Sequence, residues 1–137
     1  MSTLSNARIF MGPKAYELLE NNFLASKSEE VRKLITEPYI IEKGRVCYVN
    51  GYEKEDAVYI GWNSLKWFPY YDDIKIILNT IRELNKIVEE DEEDDKLQDY
   101  FYKMIVMFEN NSITVETNDE NEEYTEEFYV ECKFSFD

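Results

Sequence analysis

Carboxylates are the side chains this sequence offers chemistry in bulk: thirty Asp and Glu against fifteen Lys and Arg, with no histidine and only two cysteines. Without histidine the chain lacks the commonest general base and the commonest nitrogen ligand for metals. A serine, threonine or cysteine nucleophile would need lysine or a carboxylate as its base, and no spacing pairs them. The four glycines, at 12, 44, 51 and 61, make neither a phosphate loop nor a dinucleotide fingerprint. Asp91-x-Glu93-x-Asp95 begins like a calcium loop. Its sixth position is Lys96 and its twelfth Tyr102, where the pattern needs Gly and Glu. Counted from Asp119, those positions are Tyr124 and Val130, which fail in the same way. Carboxylate pairs suited to glycoside or metal-assisted hydrolysis are abundant, and none stands out. The expectation is a protein that is not an enzyme, with no cofactor and no metal site.

The distribution of charge says more. Net charge is −15. Residues 1–88 hold twelve acids and twelve bases, whereas residues 89–137 hold eighteen acids against Lys96, Lys103 and Lys133. Seven acids run without interruption: Glu89, Glu90, Asp91, Glu92, Glu93, Asp94 and Asp95. By itself such a run reads as a solvated loop. It lies, however, between a strong helix pattern and an apolar β segment. A second cluster occupies the next connection: Asp119, Glu120, Glu122, Glu123, Glu126 and Glu127. In an antiparallel meander these two connections can share one end of the sheet and form a single negative field. Glu131 on the last strand and Glu116 on the middle strand would extend it. Carboxylates two residues apart on a strand are about 7 Å apart, close to the spacing of successive phosphates on a nucleic-acid strand. Such a surface disfavours DNA, RNA and anionic lipid and favours a basic protein, which it would attract at long range and in a salt-sensitive way.

The elements that must hold these groups can be read from periodicity. Arg8–Met11 reads as a strand, and 14–24 as a helix with Pro13 in its first turn. Ser26 or Ser28 caps a second helix that Pro38 stops. Tyr39–Lys43 and Arg45–Val49 read as two strands around Gly44, Asn50-Gly51 as a tight turn, and Ala57–Trp62 as a further strand after a polar bend. Asn63–Tyr71 is an aromatic connector, in which Tyr70 and Tyr71 are the candidates for exposed interface anchors. Ile74, Ile77, Leu78, Ile81, Leu84 and Ile87 then form one stripe of a helix that should end near Val88. Lys96–Asp99 suits a short helical turn. Tyr100–Glu109 fits either helix or strand; strand is preferred, because Asn110-Asn111 can turn the chain and set Met104, Val106 and Phe108 beside Ile113 and Val115. Glu123–Phe136 alternates cleanly, with Phe128, Val130, Cys132, Phe134 and Phe136 on one face. Cys47 and Cys132 read as small buried residues.

The expected fold is a single α+β domain over 1–137, a mostly antiparallel sheet with a C-terminal three-stranded meander and helices on one face. No apolar run is long enough for a transmembrane helix, and the start lacks a signal peptide's apolar stretch, so the expected compartment is the cytoplasm (the host's, if phage-encoded). In composition the whole chain is similar to phage-encoded anti-CRISPR and anti-restriction proteins: short, acidic, rich in Tyr, Asn, Glu and Lys, and free of catalytic motifs. That resemblance implies an inhibitor that occupies the basic groove of a nuclease or other nucleic-acid-binding enzyme as a nucleic-acid mimic. An immunity protein or antitoxin against a basic nuclease toxin would present the same surface. A non-enzymatic interaction domain, acidic mainly for solubility, and a small-molecule-sequestering domain are the other classes. The sequence assigns no oligomeric state.

Overall fold

A computed structural model describes residues 4–49, 52–93 and 95–125. The chain runs β1 (Leu4–Met11), α1 (Pro13–Leu24), α2 (Glu29–Thr36), β2 (Ile40–Val49), β3 (Tyr52–Lys66), α3 (Asp72–Glu89), α4 (Leu97–Tyr100), β4 (Tyr102–Phe108) and β5 (Ile113–Thr117). Among the described residues five strands form one antiparallel sheet in the order β2-β3-β1-β4-β5, with the first strand between β3 and β4. The fold is α+β, as the periodicity implies.

Strand alternation divides the sheet into two apolar faces. Ala7, Ile9 and Met11 of β1, Val58, Ile60 and Trp62 of β3, and Met104 and Val106 of β4 face the helices. Against them pack Leu19 and Phe23 of α1, Ile35 of α2, and Ile74, Ile77, Ile81 and Leu84 of α3, four of the six residues of the predicted stripe; Leu78 packs on this cluster from a partly buried position, and Ile87 is half-buried outside it. Each such side chain contributes about 1.5–3 kcal/mol when fully buried. Phe10, Cys47, Ala57, Tyr59, Phe101 and Ile105 form a second cluster on the opposite face. Trp62 is core, and its indole N–H donates to the carbonyl of Leu34 at 2.6 Å, tying β3 to α2.

Helix boundaries reflect local chemistry. Gly12 precedes Pro13 because the chain passes close to α4: a Cβ at position 12 would lie 2.4 Å from the Asp99 carbonyl oxygen. Ser28 caps α2, its Oγ accepting from the Val31 N–H at 3.3 Å. α3 begins after Tyr71 and ends at Glu89, within a residue of the expected stop.

Three expectations need correction. Tyr39–Lys43 and Arg45–Val49 are one strand, because Gly44, at φ +71°, is absorbed as an irregularity between Glu42 and Arg45 rather than ending the element. The polar segment before Ala57 is strand too, since β3 already pairs at Tyr52 and continues through Asn63 to Lys66. Ile113 and Val115 share a face with Met107 and Ile105, not with Met104, Val106 and Phe108. Residues 109–112 all belong to the turn, with Asn111 at φ +66° and the Phe108 N–H bonded to the Ser112 carbonyl. The resulting register inverts the face of every residue in β5. Asn50-Gly51 and most of the expected last strand, including Glu126, Glu127, Glu131 and Cys132, lie outside the described residues; its first three positions, 123–125, form a turn.

Candidate functional site

α3 carries the first acidic residues to one end of the molecule. Its last residue is Glu89, and the backbone then turns at Glu90, whose N–H bonds to the Lys86 carbonyl. Asp91 accepts from two backbone N–H groups, those of Glu93 and Lys96. Its Oδ1 accepts from the Glu93 N–H at 3.2 Å and its Oδ2 from the Lys96 N–H at 2.7 Å. These bonds, that from Lys96 foremost, hold the Asp91 carboxyl below its usual range. The acid run is thus partly built around one of its own members. Asp94 lies outside the described residues.

The second acidic connection starts where β5 ends, and it is fastened to the start of β4. Asn118 accepts from the Tyr102 N–H at 2.8 Å and donates to the Tyr100 carbonyl at 3.0 Å. Thr117 Oγ1 donates to the Tyr102 carbonyl at 2.7 Å, and the Tyr102 hydroxyl donates to Asn85 Oδ1 on α3 at 2.9 Å. Burial pushes the Tyr102 hydroxyl up to about 12. Asn85, Tyr102, Thr117 and Asn118 therefore lock the end of α3 to the loop after β5. No charge pattern marks these four, although an Asn after a strand is a turn-forming signal.

Asp119 has a different role from its acidic neighbours. It is fully buried and accepts four hydrogen bonds: from the Glu123 N–H through Oδ1, and from the Tyr124 N–H, the Thr125 N–H and the Thr125 hydroxyl through Oδ2, all at 2.8–3.0 Å. Its carboxylate shapes the loop and is turned away from solvent. Tyr124, held by that loop, stacks on Phe101 with ring centroids 5.2 Å apart.

The two acidic connections meet. Asn85, Val88 and Glu89 of α3, Leu97 of α4, and Thr117, Asn118, Asp119, Glu120 and Asn121 line one cleft of about 390 Å³. Glu89 and Glu120 bring exposed carboxylates to this cleft; these two and the exposed carboxylates of Glu90, Glu92, Glu93 and Glu123 make no hydrogen bond or ion pair among the described residues. Asp95 is exposed as well. Other acids are engaged internally. Glu122 sits 3.4 Å from the buried Lys103 ammonium, and Asp99 lies 2.9 Å from Lys54 and 3.7 Å from Lys14. Glu116 is exposed on β5, opposite Met104. No cluster of His, Cys, Asp or Glu among the described residues is arranged to hold a metal ion.

Tyr70 and Tyr71 are exposed, as expected, at 66% and 37%. They lie at the opposite end of α3 from the acid run. Eighteen residues at 1.5 Å each separate the two regions by about 27 Å. The structure brings Glu89, the first residue of the acid run, to the second acidic connection and places the tyrosines at the other end of α3. No helix among the described residues is long and apolar enough to cross a membrane. Comparison with protein-family models, with curated proteins and with solved structures found no match to this chain.

Proposed function

We propose that this protein is a non-enzymatic inhibitor that engages a nucleic-acid-binding enzyme, its acidic end occupying the basic groove that otherwise holds DNA or RNA. The observation that supports the reading is the shared cleft: Glu89, where α3 runs into the first acidic run, and Glu120, in the connection after β5, line it together, on a backbone fastened by internal hydrogen bonds. Preorganised charge loses less entropy on binding than a mobile acidic tail would. Exposed carboxylates at that end raise the rate of encounter with a cationic groove, more steeply at low salt. Chain composition makes a phage counter-defence protein of the anti-CRISPR or anti-restriction kind the leading biological setting.

The test is capture of partners from lysate of the host on immobilised protein, with elution by salt and, separately, by DNA or RNA. A nuclease or other nucleic-acid-binding enzyme, released both by moderate salt and by nucleic acid, is the expected result. A nuclease toxin encoded beside this chain would redirect the reading to an immunity protein. A partner indifferent to salt and to nucleic acid would overturn groove occupancy.

A further inference from the structure

The other end of α3 carries a concave surface that the acidic-end reading does not use. Tyr70 and Tyr71 stand beside a groove of about 530 Å³, floored by Val31 and Leu34 of α2 and edged by Glu30, Asp72 and Asp73. The rings are fixed before any partner arrives. Phe68 stacks on Tyr70 at 5.5 Å and meets Tyr71 at 5.2 Å, and the two tyrosines contact edge to face at 5.1 Å. Aromatic faces carry a negative quadrupole, and a cation placed over them gains more when carboxylates stand nearby. Among the described residues, no lysine or arginine lines this groove.

We infer that the groove receives one cationic side chain, an arginine or lysine presented by a protein partner, with its charged group over the tyrosine rings and between the carboxylates. Charge complementarity selects this occupant. The N-termini of α2 and α3 both open here and bring about half a positive charge each, which the three full negative charges of Glu30, Asp72 and Asp73 outweigh. Half-buried Asp73, whose carboxyl burial pushes above its usual value, accepts from the Ile74 N–H at 2.8 Å and has no cationic partner among the described residues. A cation in the groove would supply one. An anion would repel that carboxylate, and an uncharged apolar segment would take water from it and add no countercharge. The groove acts separately from the acidic end, because about 27 Å of helix exceeds the Debye length of about 8 Å at physiological salt.

Titration of the isotope-labelled protein with the peptide acetyl-Gly-Arg-Gly-amide, and with its citrulline counterpart, tests this by amide chemical shifts. Citrulline keeps the shape of arginine and removes its charge. The expected result is saturable shifts at Glu30, Val31 and Tyr70–Asp73 with the arginine peptide and far weaker ones with citrulline. Tyr71→Ala should weaken that binding by about two- to fivefold. Asp72→Asn and Glu30→Gln alter exposed side chains and keep the fold, and they should weaken it in the same direction. Equal response to both peptides, shifts confined to 89–95 and 119–123, or no response at all would overturn the inference. Charge reversal at Glu89, Glu90, Glu92 and Glu93 should leave the groove's response unchanged, so failure here and failure of the acidic-end reading are distinct results.

Discussion

At the N-terminal end of α3 rings pack against rings, whereas at its C-terminal end carboxylates and amides hold the backbone. The aromatic end is shaped by Phe68, Tyr70 and Tyr71 in mutual contact. The acidic end is shaped by Asp91, Asn118 and Asp119, each spending side-chain oxygens on main-chain N–H groups. The first arrangement depends on dispersion and area, which substitutions change gradually. The second depends on a few acceptors, and at Asp119 removing one leaves buried donors unsatisfied. One acidic cluster therefore contains two kinds of carboxylate: those that build the surface and those that are the surface. Composition cannot tell them apart; hydrogen bonding does.

The sharpest way to break this distinction is Asp119→Ala. Four donors lose their acceptor, the Thr125 N–H and hydroxyl in a buried site, so a loss of about 3 kcal/mol is expected in urea unfolding. Glu120→Ala, one residue away and exposed, should stay within about 0.5 kcal/mol. Similar values for the two would dissolve the division between builders and surface. Next comes simultaneous reversal of Glu89, Glu90, Glu92 and Glu93 to lysine. Thermal stability should barely move, while affinity for the captured enzyme should fall by about tenfold or more, most strongly at low salt. Unchanged affinity would return the run to a solvated loop.

Tyr102→Phe probes the lock between the two connections. Loss of the hydroxyl bond to Asn85 should cost about 1 kcal/mol. It should also raise hydrogen exchange at Asn118 and Asp119 while leaving Tyr70 and Tyr71 unaffected. Uniform exchange across the molecule would mean that the lock is not local.

Titration gives the smallest effect and the clearest contrast in sign. Asp91 has its carboxyl held below 3.8, so its contribution to stability is complete above that value and lost as pH falls through the lower, folded value. Asp73 is raised above 3.8, so its contribution is present at lower pH and lost as pH rises through the folded value. Carboxyl chemical shifts tracked with pH should order them Asp91 before Asp73 on raising the pH from acid. At the alkaline limit Tyr102 and Tyr16, both raised to about 12 mainly by burial, favour the folded state until pH climbs from 10 towards 12. Tyrosinate absorbance should then lag for a minority of the eleven tyrosines, and its completion should coincide with unfolding.

Local chemistry decides the parts of the fold that were legible in the sequence. The α3 stripe, the Ser28 cap, the turn at Asn111 and the exposure of Tyr70 and Tyr71 all come from spacing and residue type. Tyr102–Phe108 proved to be a strand because its pairing with β1 and β5 satisfies both edges, a tertiary fact that periodicity leaves open. The face of Ile113 and Val115 was not legible, because a four-residue turn and a two-residue turn present nearly the same residues. The meeting of Glu89 with the loop after β5 was anticipated from meander geometry. The burial of Asp119 was not, since its donors come from residues 123–125, whose placement depends on Tyr124 finding Phe101.

The most direct measurement is competition. The captured enzyme is mixed with a labelled DNA or RNA substrate, and the protein is titrated in while both complexes are monitored. Groove occupancy predicts mutual exclusion: labelled nucleic acid is released in step with binding, the apparent dissociation constant rises linearly with protein concentration, and no ternary complex forms. The four-lysine reversal should move release to about tenfold higher protein concentration or beyond. A stable ternary complex, or a release curve that this reversal leaves in place, would contradict groove occupancy.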